Sequence, residues 1–218
     1  MSGMPTSPRL VKAGLVLVDP VSAQVRRVVA LQYNPDSLKR SLQPRHMGEG
    51  ADSADALRLT GPAVETFTLE ADIDATDQLQ FPQQNATAVS VGIAPQLAVL
   101  ESLVQPTSED LLAANALAAS GTLQIAPMES AMALLVWGAE RIVPVRVTEF
   151  SITEEAFDTA LNPIRATVSL GLRVLSVDDL GHAHKGGGLY LAYLQSRERM
   201  AGKAATAAMD ALGIGGLP

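Results

Sequence analysis

Alternating apolar and polar residues predict strands in the first third of the chain. The Val- and Leu-rich runs 10–18 and 24–33 flank the turn-like stretch 19–23 and predict a hairpin. The second run is expected to stop at Asn34 and Pro35, because proline cannot donate to a strand ladder and favours an extended residue before it. In residues 66–73 every second side chain is apolar, which predicts a strand with one wet face.

Strand patterns return in the last third. Residues 131–137 and 141–152 predict a hairpin around the turn Gly138-Ala139-Glu140, and residues 166–177 predict a further strand. Apolar residues occupy alternate positions of this last strand, at Ala166, Val168, Leu170, Leu172 and Val174. Its opposite face is predicted to be polar and to carry Arg165 and Arg173.

Between residues 75 and 130 the apolar spacing becomes helical. Leucines in 97–104 follow Pro95, a residue that suits the first turn of a helix. A second helix, capped by Thr107 or Ser108, is predicted to carry further leucines up to residue 117. A two-helix insertion between strands is the simplest interpretation.

These elements predict an α+β, mainly β fold. The expected organisation is an N-terminal tail over 1–9, one domain over 10–180, and a linker, helix and tail over 181–218. Within the domain, 43–62 is predicted to be a long exposed loop and 86–120 the helical insertion. The Gly-rich stretch 186–188 is interpreted as a break before an amphipathic helix from about 189 to 200.

The net charge of −7 comes from one segment. Residues 49–77 contain eight acidic residues and one base, which leaves 15 residues of each sign in the rest of the chain. No basic face is available for phosphates, so nucleic acid and lipid surfaces are not expected partners. The segment, including Asp52, Asp55, Asp72 and Asp74, is predicted to meet a partner or to line a channel.

Composition also limits the chemistry and the location. The chain has no cysteine, which excludes disulfides, thiolate catalysis and thiolate metal sites. Its first residues lack the basic and apolar regions of a signal peptide, so we expect it in the cytoplasm of the producing cell. No run of residues reads as a spanning helix, and direct membrane insertion is not expected.

No set of residues predicts catalysis or a bound cofactor or metal. His182 and His184 could bind a metal together with acids of the segment around Asp72, but no third ligand follows at a recognisable interval. Glu154 and Glu155 are neighbours on a predicted strand and point to opposite faces, so they are interpreted as solvated. A non-enzymatic protein is therefore expected, with a metal-dependent enzyme or ligand-binding module on a β-sandwich as the alternative.

An ordered set of short motifs over about residues 10–200 resembles a known family. The motifs are Leu31-Gln32-Tyr33-Asn34-Pro35-Asp36-Ser37-Leu38, Glu65-Thr66-Phe67-Thr68-Leu69-Glu70, Val136-Trp137-Gly138, Pro144-Val145-Arg146-Val147 and Leu161-Asn162-Pro163-Ile164-Arg165-Ala166. The family comprises the tube-initiator and baseplate adaptor proteins of extracellular contractile injection systems, which are phage-tail-like particles. Many members carry a C-terminal LysM-like module, for which the 18 residues after Met200 are too few.

The resemblance implies a tail-tube fold, an antiparallel β-sandwich or barrel decorated with helices. It implies a homohexameric ring that joins the spike hub to the inner tube and initiates tube assembly. The implied partners are further copies of the chain, the spike or hub protein, an inner-tube or second tube-initiator protein, and wedge or sheath components. The whole would form an assembled particle that can be released, and a polymerising inner-tube subunit is the alternative within this class.

Several motif residues have expected structural roles. Asn34 and Asn162, each before a proline (Pro35 and Pro163), are predicted turn formers. Trp137, which precedes the turn at Gly138, is predicted to be a core anchor. Pro144 belongs to the motif set without a separate role, while Arg165 and Arg173 can face a channel, a neighbouring subunit or solvent.

Overall fold

The computed structural model describes residues 11–20, 22, 24–46, 58–119 and 132–204. The strands are β1 Gly14–Val18, β2 Val25–Ala30, β3 Leu38–Gln43, β4 Val64–Asp74, β5 Met132–Val136, β6 Ile142–Phe157 and β7 Pro163–Val174. The helices are α1 Thr76–Leu79, α2 Ala86–Val91, α3 Ala94–Glu101, α4 Ser108–Ala119, α5 Val177–Leu180 and α6 Lys185–Ala201. The chain is thus α+β and mainly β, as predicted.

All seven strands form one antiparallel sheet in the order β2-β1-β5-β6-β7-β4-β3. The sheet wraps round a single main core that unites residues of β1 and β2 with residues of β4 and β7. The Gln32 side chain, which follows β2, connects that side of the sheet to the end of β4. Its Nε2 donates to the Asp74 carbonyl (2.7 Å) and its Oε1 accepts from the Asp74 N–H (3.0 Å). Strands β2 and β3 remain at the two edges.

The core follows the predicted alternation. On β4, Phe67, Leu69, Ala71 and Ile73 are buried, and on β7 the five apolar residues from Ala166 to Val174 are buried. Leu97 and Leu100 of α3 and Tyr190 and Tyr193 of α6 complete the same core. Both predicted hairpins are confirmed, with β1 paired to β2 and β5 paired to β6.

Strand β3 was not predicted. Its sequence, Leu-Lys-Arg-Ser-Leu-Gln, has no buried residue, because it lies at the sheet edge and pairs only with β4. The predicted loop 43–62 therefore begins at the last residue of a strand, and an isolated bridge joins His46 to Leu59. Residues 47–57 of that loop lie outside the described residues.

The two predicted helices of the insertion are confirmed as α3 and α4. Thr107 caps α4, since its Oγ1 accepts from the Asp110 N–H (3.1 Å) and its own N–H donates to the Asp110 carboxylate (3.3 Å). The interpretation of two helices was incomplete, because α1 and α2 are too short to show a helical period. Helix α4 buries none of its residues.

The interpretation of Gly186-Gly187-Gly188 as a break was wrong. The three glycines form the first turn of α6, and His184 caps the helix by accepting the Gly186 N–H at Nδ1 (3.0 Å). A Cβ on Gly187 would lie 2.2 Å from the Gly181 carbonyl oxygen, so close packing requires a glycine there. The strand predicted to reach residue 177 ends at Val174, because Ser176 begins α5 with a capping box to Asp179.

A buried ion network attaches α6 to the sheet. Glu65 of β4 is only 2% exposed, and its carboxylate accepts from Arg40 Nε (2.5 Å), Tyr193 Oη (2.8 Å) and Arg197 Nη1 (3.3 Å). Arg197 also lies over the Tyr193 ring, 5.5 Å from its centroid. The network therefore joins the edge strand β3, its neighbour β4 and the last helix.

We expect Glu65→Gln to lower the free energy of unfolding by about 3 kcal/mol, because it leaves two arginines facing a neutral group in a largely buried site. Urea unfolding followed by circular dichroism measures this. The matched control is Glu70→Gln on the exposed side of the same strand, expected to change stability by less than about 0.5 kcal/mol. Equal effects of the two substitutions would contradict the role given to Glu65.

The same network predicts a dependence on alkaline pH. Burial, reinforced by the hydrogen bond to Glu65, raises the pKa of Tyr193 to about 12. Because this lies above the unfolded pKa of about 10, the contribution is complete below pH of about 10 and is lost as the pH rises towards 12. Ultraviolet titration of phenolate should show this late transition, and Tyr193→Phe should remove it. An unchanged titration in that variant would refute the assignment.

Candidate assembly surface

The face of the sheet that points away from the main core is polar. We call it the outer face; it consists of the even-numbered residues 66–74 of β4, the odd-numbered residues 165–173 of β7, and Ser151, Thr153 and Glu155 of β6. Gly171 apart, all of these residues are exposed or half-buried. The strand register sets the face, because Asp74 lies opposite Arg165, Asp72 opposite Thr167, and Thr167 opposite Thr153.

The structure brings together Asp72, Asp74 and Arg165 among the predicted residues. Arg165 Nε donates to Asp74 Oδ2 (2.9 Å), and Thr167 Oγ1 donates to Asp72 Oδ1 (2.9 Å). Hydrogen bonds from Thr76, followed by Arg165, hold the pKa of the Asp74 carboxyl below its usual value. The Asp74 carboxylate is therefore ionised at neutral pH, and its hydrogen bonds fix its position.

An open cleft of about 420 Å³ surrounds these groups. Tyr33 and Glu155 complete its lining, beside Asp72, Asp74, Arg165 and Thr167. Glu155 is exposed, in agreement with its interpretation as solvated. Its place in the cleft follows from the β6–β7 register, which depends on bulges that the sequence does not reveal. Three carboxylates against one guanidinium make the cleft acidic, and its open shape suits a protein surface better than an enclosed substrate.

Arg173 lies apart from this cleft. It is eight residues from Arg165 along β7, which is about 27 Å of extended strand. Its neighbour across the ladder is Arg146, and its Nη2 donates to Asp179 Oδ1 of α5 (2.7 Å). The outer face is therefore acidic at the Asp74 end and carries two arginines at the other end.

The acidic segment 49–77 does not form one continuous surface. Asp72 and Asp74 lie on the outer face, whereas Glu65 of the same strand points to the opposite side and is buried. Asp52 and Asp55 lie outside the described residues, so their part in an assembly interface or a channel lining stays a prediction.

The two asparagines that precede prolines do more than form turns. Asn34 Oδ1 accepts from the Ala13 N–H (2.8 Å) and its Nδ2 donates to the Val11 carbonyl (2.9 Å), which ties the exit of β2 to the entrance of β1. Pro35 follows in the exposed connection. Asn162 Nδ2 donates to Asp158 Oδ2 (2.8 Å) and to the Ser90 carbonyl (3.2 Å), which ties the β6–β7 turn to α2.

The remaining motif residues support the sheet. Pro163 begins β7, and its carbonyl accepts the Ile93 N–H (2.8 Å) beside Gly92. Trp137 is half-buried against the main core, and Gly138 has φ +77°, a conformation that favours glycine in this turn. Pro144 is fully buried in β6, where its carbonyl accepts the Leu175 N–H (2.9 Å).

His182 and His184, the histidines of the alternative metal site, lie in the turn before α6. Nδ1 of His184 is used as the helix cap, and among the described residues no three His, Asp or Glu side chains are placed to hold a metal ion. Within the same ranges, no helix has both the length and the apolar composition to cross a bilayer.

Both ends of the sheet present an exposed strand. Five of the six residues of β2 are exposed, including Val25 and Val28, and β3 is exposed or half-buried throughout. Each edge has a row of backbone groups that no other strand in the described part of the chain pairs with. Edges of this kind are templates for pairing with another chain.

Comparison with known proteins gives little further information. No protein-family model matches the chain, and no curated protein is similar to it. Among solved structures, it is similar to a chain in the tail of an empty GTA particle, computed with helical refinement and C6 symmetry. The two are 10% identical, the match covers 75% of this chain and 90% of that chain, and the TM-score is 0.29. A similarity this weak supports no conclusion about function.

The turn between β6 and β7 contains a strained residue. Leu161 has φ +64°, the only positive φ of a non-glycine residue in the described ranges, and its side chain is 78% exposed. Asp158 holds the turn by accepting from the N–H groups of Ala160 (2.7 Å) and Asn162 (2.9 Å). Hydrogen bonds from Asn162 also keep the pKa of Asp158 below its usual value.

We expect Leu161→Gly to raise the free energy of unfolding by about 1 kcal/mol, because glycine adopts this conformation without strain and no buried contact is lost. Thermal or urea unfolding of the purified chain measures the change. Leu161→Ala is the control; it removes the same side chain but keeps the strain, so its stability should stay close to that of the parent. A less stable glycine variant would show that the turn is not strained.

Proposed function

We propose that the chain is a non-enzymatic structural subunit of a contractile injection system. In this proposal it forms a homohexameric ring that joins the spike hub to the inner tube and initiates tube assembly. The observation that carries the proposal is a single antiparallel sheet with an exposed edge strand at each end and an uncovered polar face.

The sheet geometry suits head-to-tail association. When β2 of one copy pairs with β3 of the next, the contact is heterologous, and such contacts close into a ring if the rotation between copies allows it. The free backbone N–H and C=O groups of both edge strands are then hydrogen-bonded, as in a closed barrel. The sixfold symmetry comes from the resemblance of the sequence motifs to tube-initiator and adaptor proteins.

The outer face suits the wall of a channel or the contact to a neighbouring ring. Its hydroxyl and charged side chains lie on three adjacent strands and present no apolar patch. Its acidic end, with Asp72, Asp74 and Glu155, offers complementary charge to a basic surface of the spike hub or of an inner-tube protein. In this arrangement, wedge or sheath components would contact the ring on its outer side.

The assembly role of the acids can be tested by neutralisation. We expect the combined variant Asp52→Asn, Asp55→Asn, Asp72→Asn and Asp74→Asn to change the yield of particles and the salt dependence of assembly, because a charged contact is screened by salt. Yield is measured by purification and negative-stain microscopy over a series of salt concentrations. Glu154→Gln is the control, because Glu154 is exposed on β6 but lies opposite Ala166, a residue of the main core, and so is not part of the outer face. Unchanged yield and salt response would count against the placement of these acids in an assembly contact.

The ring itself can be tested by cryo-electron microscopy of particles from the producing cell. We expect one ring of this chain between spike and tube. A chain found along the whole shaft in many copies would instead identify the polymerising tube subunit. Particles without the chain would overturn both versions of the proposal.

A further inference from the structure

After its first turn, helix α4 is apolar apart from Asn115. After its first turn the sequence is Leu-Leu-Ala-Ala-Asn-Ala-Leu-Ala-Ala, and Leu111 and Leu112, one position apart and so about 100° apart around the axis, are 51% and 70% exposed. A helix that is hydrophobic on all sides is normally buried. An isolated helix of 12 residues is also only marginally stable in water, so α4 requires contacts beyond those it makes in this chain's described residues.

The segment of the chain before α4 contacts the β2 edge. Ser102, which follows α3 and precedes α4 by six residues, accepts a hydrogen bond at Oγ from Arg27 Nη1 of β2 (3.4 Å). The end of α3, from which the chain leads into α4, therefore lies beside the exposed edge strand. A chain that pairs with β2 is then a neighbour of the segment that leads into α4.

The other edge of the sheet, at β3, has exposed apolar residues and a charge that complement those of α4. Along β3 and its adjoining bridge, Leu42 is 41% exposed and Leu59 is 64% exposed. Strand β3 offers the exposed Lys39 and no acidic residue, since Arg40 is already paired with Glu65, whereas α4 contains Glu109 and Asp110 and no basic residue. The lengths also match, since twelve helical residues span about 18 Å and six strand residues about 20 Å.

We infer that α4 packs on the β3 edge of a second copy of this chain, with Leu111 and Leu112 against Leu42 and Leu59. The inference rests on the proposed ring, since β2–β3 pairing is what brings α4 to that edge. Leu111 and Leu112 alone are too small a patch for a stable dimer, which buries about 800 Å² on each partner. Helix α4 therefore adds an apolar contact to the strand pairing and covers the junction from one side.

The absence of cysteine allows a direct test by crosslinking. Two full-length variants, Leu112→Cys and Leu42→Cys, are mixed and treated with a short thiol crosslinker. We expect a heterodimeric product, because each chain alone has a single thiol. The control mixture pairs Leu112→Cys with Thr153→Cys, whose thiol lies on the exposed outer face, and we expect no product there.

A second measurement uses Leu111→Gln with Leu112→Gln, which keeps helix propensity and removes the apolar contact. We expect self-association, measured by analytical ultracentrifugation, to weaken at least about tenfold. Both side chains are exposed, so the thermal unfolding of the single chain should be unchanged, which separates this effect from misfolding.

The outcomes distinguish the two proposals. Wild-type chains that associate while the Leu112–Leu42 product is missing would overturn the placement of α4 and leave the ring standing. A product of Leu112→Cys with itself alone would show that two α4 helices pair, which also overturns it. Wild-type chains that stay monomeric, together with cysteine variants that give no crosslinked product alone or in purified particles, would overturn the ring as well.

Discussion

Successive side chains of a strand point to opposite faces, and this constraint organises the whole molecule. On β4 and β7 it places one set of apolar residues in the main core and leaves a polar set on the outer face. The bulges in β6 keep Phe150 and Ile152 packed on the core and bring Glu155 to the same side as Asp72. Burial of one face thus determines which charged residues meet on the other, although none of these charges contributes to the core.

Sequence patterns predicted the parts of the fold in which burial is one-sided and regular. Strands β4 and β7 and helix α3 were predicted because their apolar spacing is nearly uninterrupted. Strand β3 was missed because an edge strand without a buried residue shows no alternation. The glycines at 186–188 were misread because glycine signals both breaks and close packing. Only the packing in the structure distinguishes the two, since a Cβ added to Gly187 would lie 2.2 Å from the Gly181 carbonyl oxygen.

The candidate assembly surface was predictable only in part. Asp72, Asp74 and Arg165 were identified from charge and strand parity, but their contacts depend on a cross-strand register that one sequence does not contain. Charge counting also grouped Glu65 with the surface acids, although parity assigns it to the buried side with Phe67. Its partners, Tyr193 and Arg197, lie 128 and 132 residues away, a separation that no local pattern bridges.

That separation affects the order in which the molecule is completed. During synthesis β3 and β4 leave the ribosome long before α6. More than a hundred further residues are therefore added before Tyr193 and Arg197 can bond to the Glu65 carboxylate. Until then Arg40 is its one charged neighbour, and the edge formed by β3 lacks the support of the last helix. The edge that we propose for joining copies therefore gains the support of α6 only after Tyr193 and Arg197 have been made. In the proposed ring, each subunit would then fold before the ring closes.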